Sequence, residues 1–159
     1  MWAHKGSHPK VDSAGQNRRV PVFGALDISG ELSCMITAKK RSPEFLEFLQ
    51  WLNEDVYADK RHIYLFLDNC SIHKTKAVTE YLDKHKDRLI VIWNAPYAPN
   101  LNDIERTWGT LKRSSIDNYY FETVQNLELA IMKATNEHNR KVNCKYLGKT
   151  LFHSLRRSA

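Results

Sequence analysis

The sequence predicts an α/β domain, and three observations carry that expectation. Ile63, Tyr64, Leu65, Phe66 and Leu67 form a run apolar at every position and stopped by Asp68-Asn69. Leu89, Ile90, Val91, Ile92 and Trp93 form a second such run, and between them Ala77, Val78, Tyr81 and Leu82 recur at helical spacing. A run apolar at both parities has no solvent face, so each is expected as a strand buried on both sides, as in a parallel sheet. Strand, helix and strand over about 30 residues describe a right-handed βαβ unit with parallel strands.

The other elements follow in order. Residues 1–19 are rich in Gly, Ser, His and Lys without a sustained period and predict an irregular arm. Val20, Val22, Ala25, Leu26 and Ile28, a turn at Ser29-Gly30, and then Leu32, Met35 and Ile36 predict a β-hairpin. Ser42-Pro43-Glu44 is a helix start, and Phe45, Leu46, Phe48, Leu49 and Leu52 give a helical stripe to about Tyr57. The helix of the βαβ unit is expected from about Lys74 to Lys86. Pro96 and Pro99 force extended backbone after the second apolar run. Asn100 is an N-cap candidate with Asp103 at the third helical position, and Leu101, Ile104, Trp108 and Leu111 form that helix's stripe. A last helix, about Glu122 to Lys141, uses Val124, Leu127, Ile131 and Ala134.

With 159 residues and 42% hydrophobic composition, the chain is expected as one globular domain. No apolar run approaches the roughly 20 residues of a membrane span, and the N-terminus lacks a signal-peptide core, so a cytoplasmic protein is expected. Cys34, Cys70 and Cys144 are too dispersed for a zinc-ligand spacing and read as reduced thiols. The net charge of +6 is uneven: residues 1–20 carry +3, residues 140–159 carry +6 and the middle carries −3. Basic ends around an acidic centre suit a protein that holds polyanionic backbone at its edges and concentrates carboxylates at a site; a solvated basic tail would give the same arithmetic.

Two acids stand out in that centre. Asp68 ends a buried parallel strand, where α/β sheets place their ligands, although a turn aspartate is common there too. Glu105 flanks the stripe of the 101–111 helix and is expected to lean towards the protein body. The 36 residues between them accommodate one helix, one strand and a loop, which can deliver both carboxylates to one sheet edge. Paired carboxylates are hard oxygen ligands for Mg²⁺ or Mn²⁺, ions that also accept phosphate oxygens and promote in-line displacement at phosphorus.

Leu67-Asp68-Asn69-Cys70-Ser71-Ile72-His73, followed by Ala95-Pro96-Tyr97-Ala98-Pro99-Asn100-Leu101-Asn102-Asp103-Ile104-Glu105-Arg106-Thr107-Trp108, resembles the DDE-type transposases of the IS630/Tc1/mariner superfamily. The segment Trp2 to Val11 and the Val22-Phe23-Gly24-Ala25-Leu26 strand fit the same family. Asp103 stands where that family usually has Pro, and Ala98 where it usually has Ser. The resemblance implies an RNase H-like fold, a mixed sheet flanked by helices, and a catalytic domain that cleaves and joins DNA at transposon ends and target. It implies Asp68 and Glu105 as catalytic and metal-binding acids, with Asn69 and His73 as supporting residues. Arg106, Lys112, Arg113, Lys149, Arg156 and Arg157 are the DNA-backbone candidates.

In that family the first catalytic Asp lies on a central strand before the Trp-containing segment, whereas this sequence starts at Met1-Trp2. The expectation is therefore a C-terminal portion of the catalytic domain, without helix-turn-helix modules, with an open slot in its sheet that could borrow a strand from another chain. Two other readings stay open: an inactive derivative that binds DNA or pairs with a full-length transposase, and an unrelated nuclease that adds Asp27 to Asp68 and Glu105; a homo-oligomer is open as a partner as well. In a bacterium the protein would associate with the nucleoid.

Overall fold

The computed structural model describes residues 19–95, 103–117 and 119–155, with side chains described as far as residue 143. The elements are β1 (Val22–Leu26), β2 (Leu32–Ile36), α1 (Ser42–Trp51), a π-helical turn (Leu52–Val56) and β3 (Ile63–Leu67). A 3₁₀ turn (Ser71–Lys74), α2 (Lys76–Lys84), β4 (Leu89–Trp93), α3 (Asp103–Ser115) and α4 (Val124–Leu155) complete the order. The α/β class and the identity of every expected element hold within these residues. The Trp2–Val11 segment, Tyr97, Asn100, Arg156 and Arg157 lie outside them.

β1 and β2 pair antiparallel around the turn, where Gly30 takes φ +88°, a left-handed conformation natural to glycine. Asp27 organises that turn: its Oδ1 accepts the backbone N–H of Ser29 at 2.8 Å and of Glu31 at 3.0 Å. β3 and β4 pair parallel, from Ile63 opposite Leu89 to Leu67 opposite Trp93, with α2 as the crossover. Among the described residues the two pairs are separate two-stranded sheets.

One core nevertheless joins them. Phe23 of β1 packs with Phe45 and Phe48 of α1, and this cluster continues through Leu49, Leu52, Val78, Leu82 and Leu89, with Ile63, Leu65 and Leu67 of β3 against it. Both sheets thus turn one face to the α1 and α2 layer. The opposite face of the hairpin is covered by α3 and α4 through Leu32, Leu111 and Ala134, with Leu26, Cys34, Ile104 and Trp108 around them.

The opposite face of β3 is bare. Tyr64 is 60% and Phe66 65% exposed, and Ile92 of β4 is exposed as well. The expectation of strands buried on both sides is therefore corrected: the run is apolar throughout, but helices cover only the odd-numbered face of β3. Ala77 and Val124, expected inward, are exposed. α2 begins at Lys76 because Thr75 keeps an extended backbone, φ −73° and ψ 154°, between the 3₁₀ turn and the helix. The last helix runs to Leu155, well past Lys141, because no proline interrupts the intervening sequence.

The hairpin is fastened to α4 by side-chain groups. The Asn139 carboxamide accepts the Leu32 N–H at 2.9 Å and donates to the Leu32 carbonyl at 3.0 Å, while His138 Nε2 lies 2.9 Å from the Gly30 carbonyl. Four residues back along α4, the Thr135 hydroxyl donates to Cys34 Sγ at 3.7 Å. Four helical residues rise about 6 Å and two strand residues about 6.7 Å, so the helix can follow the strand in step.

Candidate active site

Asp68 lies just beyond the carboxyl end of β3, and the residues after it fold back to hold it. Its Oδ1 accepts the backbone N–H of Cys70 at 3.0 Å, the turn that Asp favours. His73, near the end of the 3₁₀ turn, brings Nδ1 to 2.9 Å from the same oxygen and 3.3 Å from the Asp68 carbonyl. The imidazole is fixed from behind by Phe45, with ring centroids 4.1 Å apart. The His73 side chain is 12% exposed and that of Asp68 59%, so a ring held by the core steadies an open carboxylate. The other oxygen, Oδ2, has no hydrogen-bond partner among the described residues.

Asn69 ties the two parallel strands together beyond their ends. Its Nδ2 donates to the Asn94 carbonyl at 2.8 Å, and the Asn94 N–H donates to the Leu67 carbonyl at 2.8 Å. Its Oδ1 accepts from Lys74 Nζ at 2.7 Å, and that ammonium lies 5.1 Å from the centre of the Trp93 ring. Asp68, Asn69 and His73 thus form one cluster. Lys74, Trp93 and Asn94 belong to it and were not singled out in the sequence, where a lysine after His73 and a tryptophan ending an apolar run read as surface and core. Their available signal was position: all three adjoin the Asp68 end of the parallel pair.

Glu105 is on α3, which packs on β1 and α4 rather than on β3. Its seating depends on Gly24, because a Cβ there would lie 2.5 Å from Cζ2 of Trp108, one turn along α3 from Glu105. Trp108 therefore packs, as its place in the helical stripe suggested. Glu105 itself is exposed, which corrects the expectation that it leans towards the body: Ile104, Trp108 and Leu111 take the inward face. Among the described residues it shares no hydrogen-bond partner with Asp68, and no group of three or more His, Cys, Asp or Glu side chains is arranged to hold a metal.

The basic residues of α3 are also exposed. Arg106 pairs with Asp103 at 3.6 Å, Arg113 Nη2 lies 3.5 Å from the Thr110 hydroxyl, and Lys112 projects to solvent. Lys149 lies on the backbone of α4, and its side chain is outside the described residues. Asp27 is committed to its turn, as the common role of turn aspartates suggests, since Ser29 Oγ also donates to its Oδ1. Among the described residues no helix is long and apolar enough to cross a membrane.

Comparison with known proteins identifies the family. Residues 1–128 match the family described as DDE superfamily endonuclease. The chain is 32% identical over 111 residues to the insertion element IS630 uncharacterized 39 kDa protein of Shigella sonnei, a match covering 69% of this chain and 32% of that protein. The chain therefore spans about a third of that relative's length.

Proposed function

Because the chain belongs to the DDE superfamily of endonucleases, we propose that it is a catalytic portion of an IS630/Tc1/mariner-type transposase, acting on DNA at transposon ends and target by metal-dependent phosphoryl transfer. The observation that carries this reading is the Asp68 cluster. A carboxylate at the carboxyl end of a parallel strand is fixed through one oxygen and, among the described residues, leaves the other, a hard donor, unengaged. Glu105 is likewise free of ion pairs among the described residues, so the donor set fits a hydrated Mg²⁺ or Mn²⁺ held by Asp68 and Glu105. Such an ion, when bound, neutralises charge at the phosphorus and eases deprotonation of the attacking water or 3′-hydroxyl.

The chain's own residues then have distinct tasks. His73 keeps the Asp68 carboxylate in one orientation, and Asn69 holds the strand ends of β3 and β4 at fixed separation. Arg106, Lys112 and Arg113 on α3, with Lys149, Arg156 and Arg157, neutralise DNA phosphates.

An RNase H-like sheet fits the same reading. The ladder parity follows from the Asp27 N–H bond to the Glu31 carbonyl and the Thr37 N–H bond to the Pro21 carbonyl. These bonds leave the backbone groups of Val22, Gly24 and Leu26 pointing away from β2. Likewise Ile63 N–H to Arg88 and Asn94 N–H to Leu67 leave Tyr64 and Phe66 pointing away from β4. One strand between β1 and β3 would satisfy both edges, and the family's first catalytic Asp belongs on that strand. Unpaired among the described residues, these edges also favour the second reading, a derivative that binds DNA or a full-length transposase without cutting.

The experiment is Mn²⁺-dependent nicking of transposon-end DNA by the chain alone and mixed with the part of the IS630-type relative outside the matched region. Cutting in the mixture that is lost in Asp68→Asn and in Glu105→Gln is expected. Cutting that survives both substitutions overturns the assignment, and DNA binding without cutting in any mixture selects the second reading.

A further inference from the structure

We propose that Lys74 and Trp93 form a nucleotide contact at the rim of the site, the ammonium taking a backbone phosphate and the indole taking the base of an unpaired nucleotide. The inference rests on the DNA reading above and names which strand form the rim accepts. Trp93 is the last residue of β4, in register with Leu67 and so beside Asp68, and it is 40% exposed. Lys74 is exposed too, yet its ammonium is not left to solvent. It is drawn to 2.7 Å from Asn69 Oδ1 and laid over the indole at 5.1 Å.

Both partners are neutral, and among the described residues Lys74 makes no ion pair with a carboxylate. No carboxylate therefore offsets that ammonium among the described residues, and neither neutral partner competes with an anion for it. Asn69 cannot easily follow it elsewhere, because the other end of that carboxamide is bonded to the Asn94 carbonyl. An ammonium held this way is placed for an anion near Asp68, and a phosphate is the anion that a DNA strand brings there. Drawing the ammonium towards a phosphate uncovers the indole face, on which a base can stack. A base inside a duplex already stacks on its neighbours, so the arrangement selects an unpaired nucleotide.

The test is a fluorescence anisotropy titration of the full chain with one labelled oligonucleotide, single-stranded and as a duplex, over a salt series in EDTA. Lys74→Gln is expected to lower the slope of log K against log salt on the single strand by about 0.7, while Lys74→Arg keeps it. Trp93→Leu is expected to weaken single-strand binding roughly tenfold and duplex binding little, with Trp93→Phe retaining most of the affinity. A full slope in Lys74→Gln, or equal losses on both DNA forms in Trp93→Leu, overturns the contact while leaving the DNA reading intact. A parent chain that binds neither DNA form overturns that reading and this contact with it.

Discussion

Replacing Gly24 by alanine should loosen the helix that carries Glu105. The Cβ would arrive 2.5 Å from Cζ2 of Trp108 and 3.3 Å from Cε2, where two carbons rest at about 3.5–4.0 Å. The shortfall at the first atom is about 1 Å. The obstacle is a rigid indole packed against the cluster of Leu32, Leu111 and Ala134. Overpacking of that kind costs about 1–3 kcal/mol, and removing glycine returns about 0.4–1 kcal/mol through the unfolded chain, so the net loss should centre near about 1 kcal/mol.

Urea unfolding of the four chains in the Gly24→Ala and Trp108→Phe cycle isolates the cause. The smaller ring vacates the space, so Gly24→Ala should cost at least about 1 kcal/mol less in the Trp108→Phe background, a coupling large enough to resolve. An identical cost in both backgrounds, or no cost in the parent chain, would refute the idea that Gly24 is there to admit Trp108.

Other outcomes follow from the same contacts. Asn139→Ala removes both bonds to the Leu32 backbone and should destabilise the chain by about 2 kcal/mol, read by urea unfolding. Burial pushes the Cys34 thiol up from 9.0 to about 11, against a smaller lowering from the Thr135 hydrogen bond. Site-resolved iodoacetamide labelling at pH 8 should therefore modify exposed Cys70 and spare Cys34 until the chain unfolds. The unfolded thiol ionises first as the pH rises, so the Cys34 contribution to stability is whole below pH 9 and is lost progressively towards about pH 11. Thermal melts of the parent and Cys34→Ala chains should converge over that window.

The elements and the Asp68 end of the site were legible because each rests on local signals. Apolar runs, the Ser29-Gly30 turn and the Ser42-Pro43 helix start are properties of neighbouring residues. What covers a strand is not local: Tyr64 and Phe66 look like core residues in sequence and lie bare because α3 and α4 pack on the hairpin. The same non-local choice turns Glu105 outward. Asn139 was invisible for another reason. Its two bonds reach a strand 107 residues away, and nothing in the surrounding polar stretch Asn136-Glu137-His138 distinguishes it from a solvated helix face.

The clamp at Asn139 bears on how the sheet can grow. By ladder parity the backbone groups of Leu32, Cys34 and Ile36 face away from β1, and this edge would otherwise be open to any passing strand. Asn139 engages both groups of Leu32, and Thr135 binds the Cys34 side chain, so α4 obstructs that edge. Among the described residues no such bond reaches the backbone groups of Val22, Gly24 and Leu26 on β1 or of Tyr64 and Phe66 on β3. A strand adding to the hairpin therefore meets less obstruction on the β1 side, where it would also share the core that already joins Phe23 to Leu65. The completing strand of the proposed RNase H-like sheet needs that polarity: entering on the β1 side, it would pair with β1 and β3 together and lie next to Asp68.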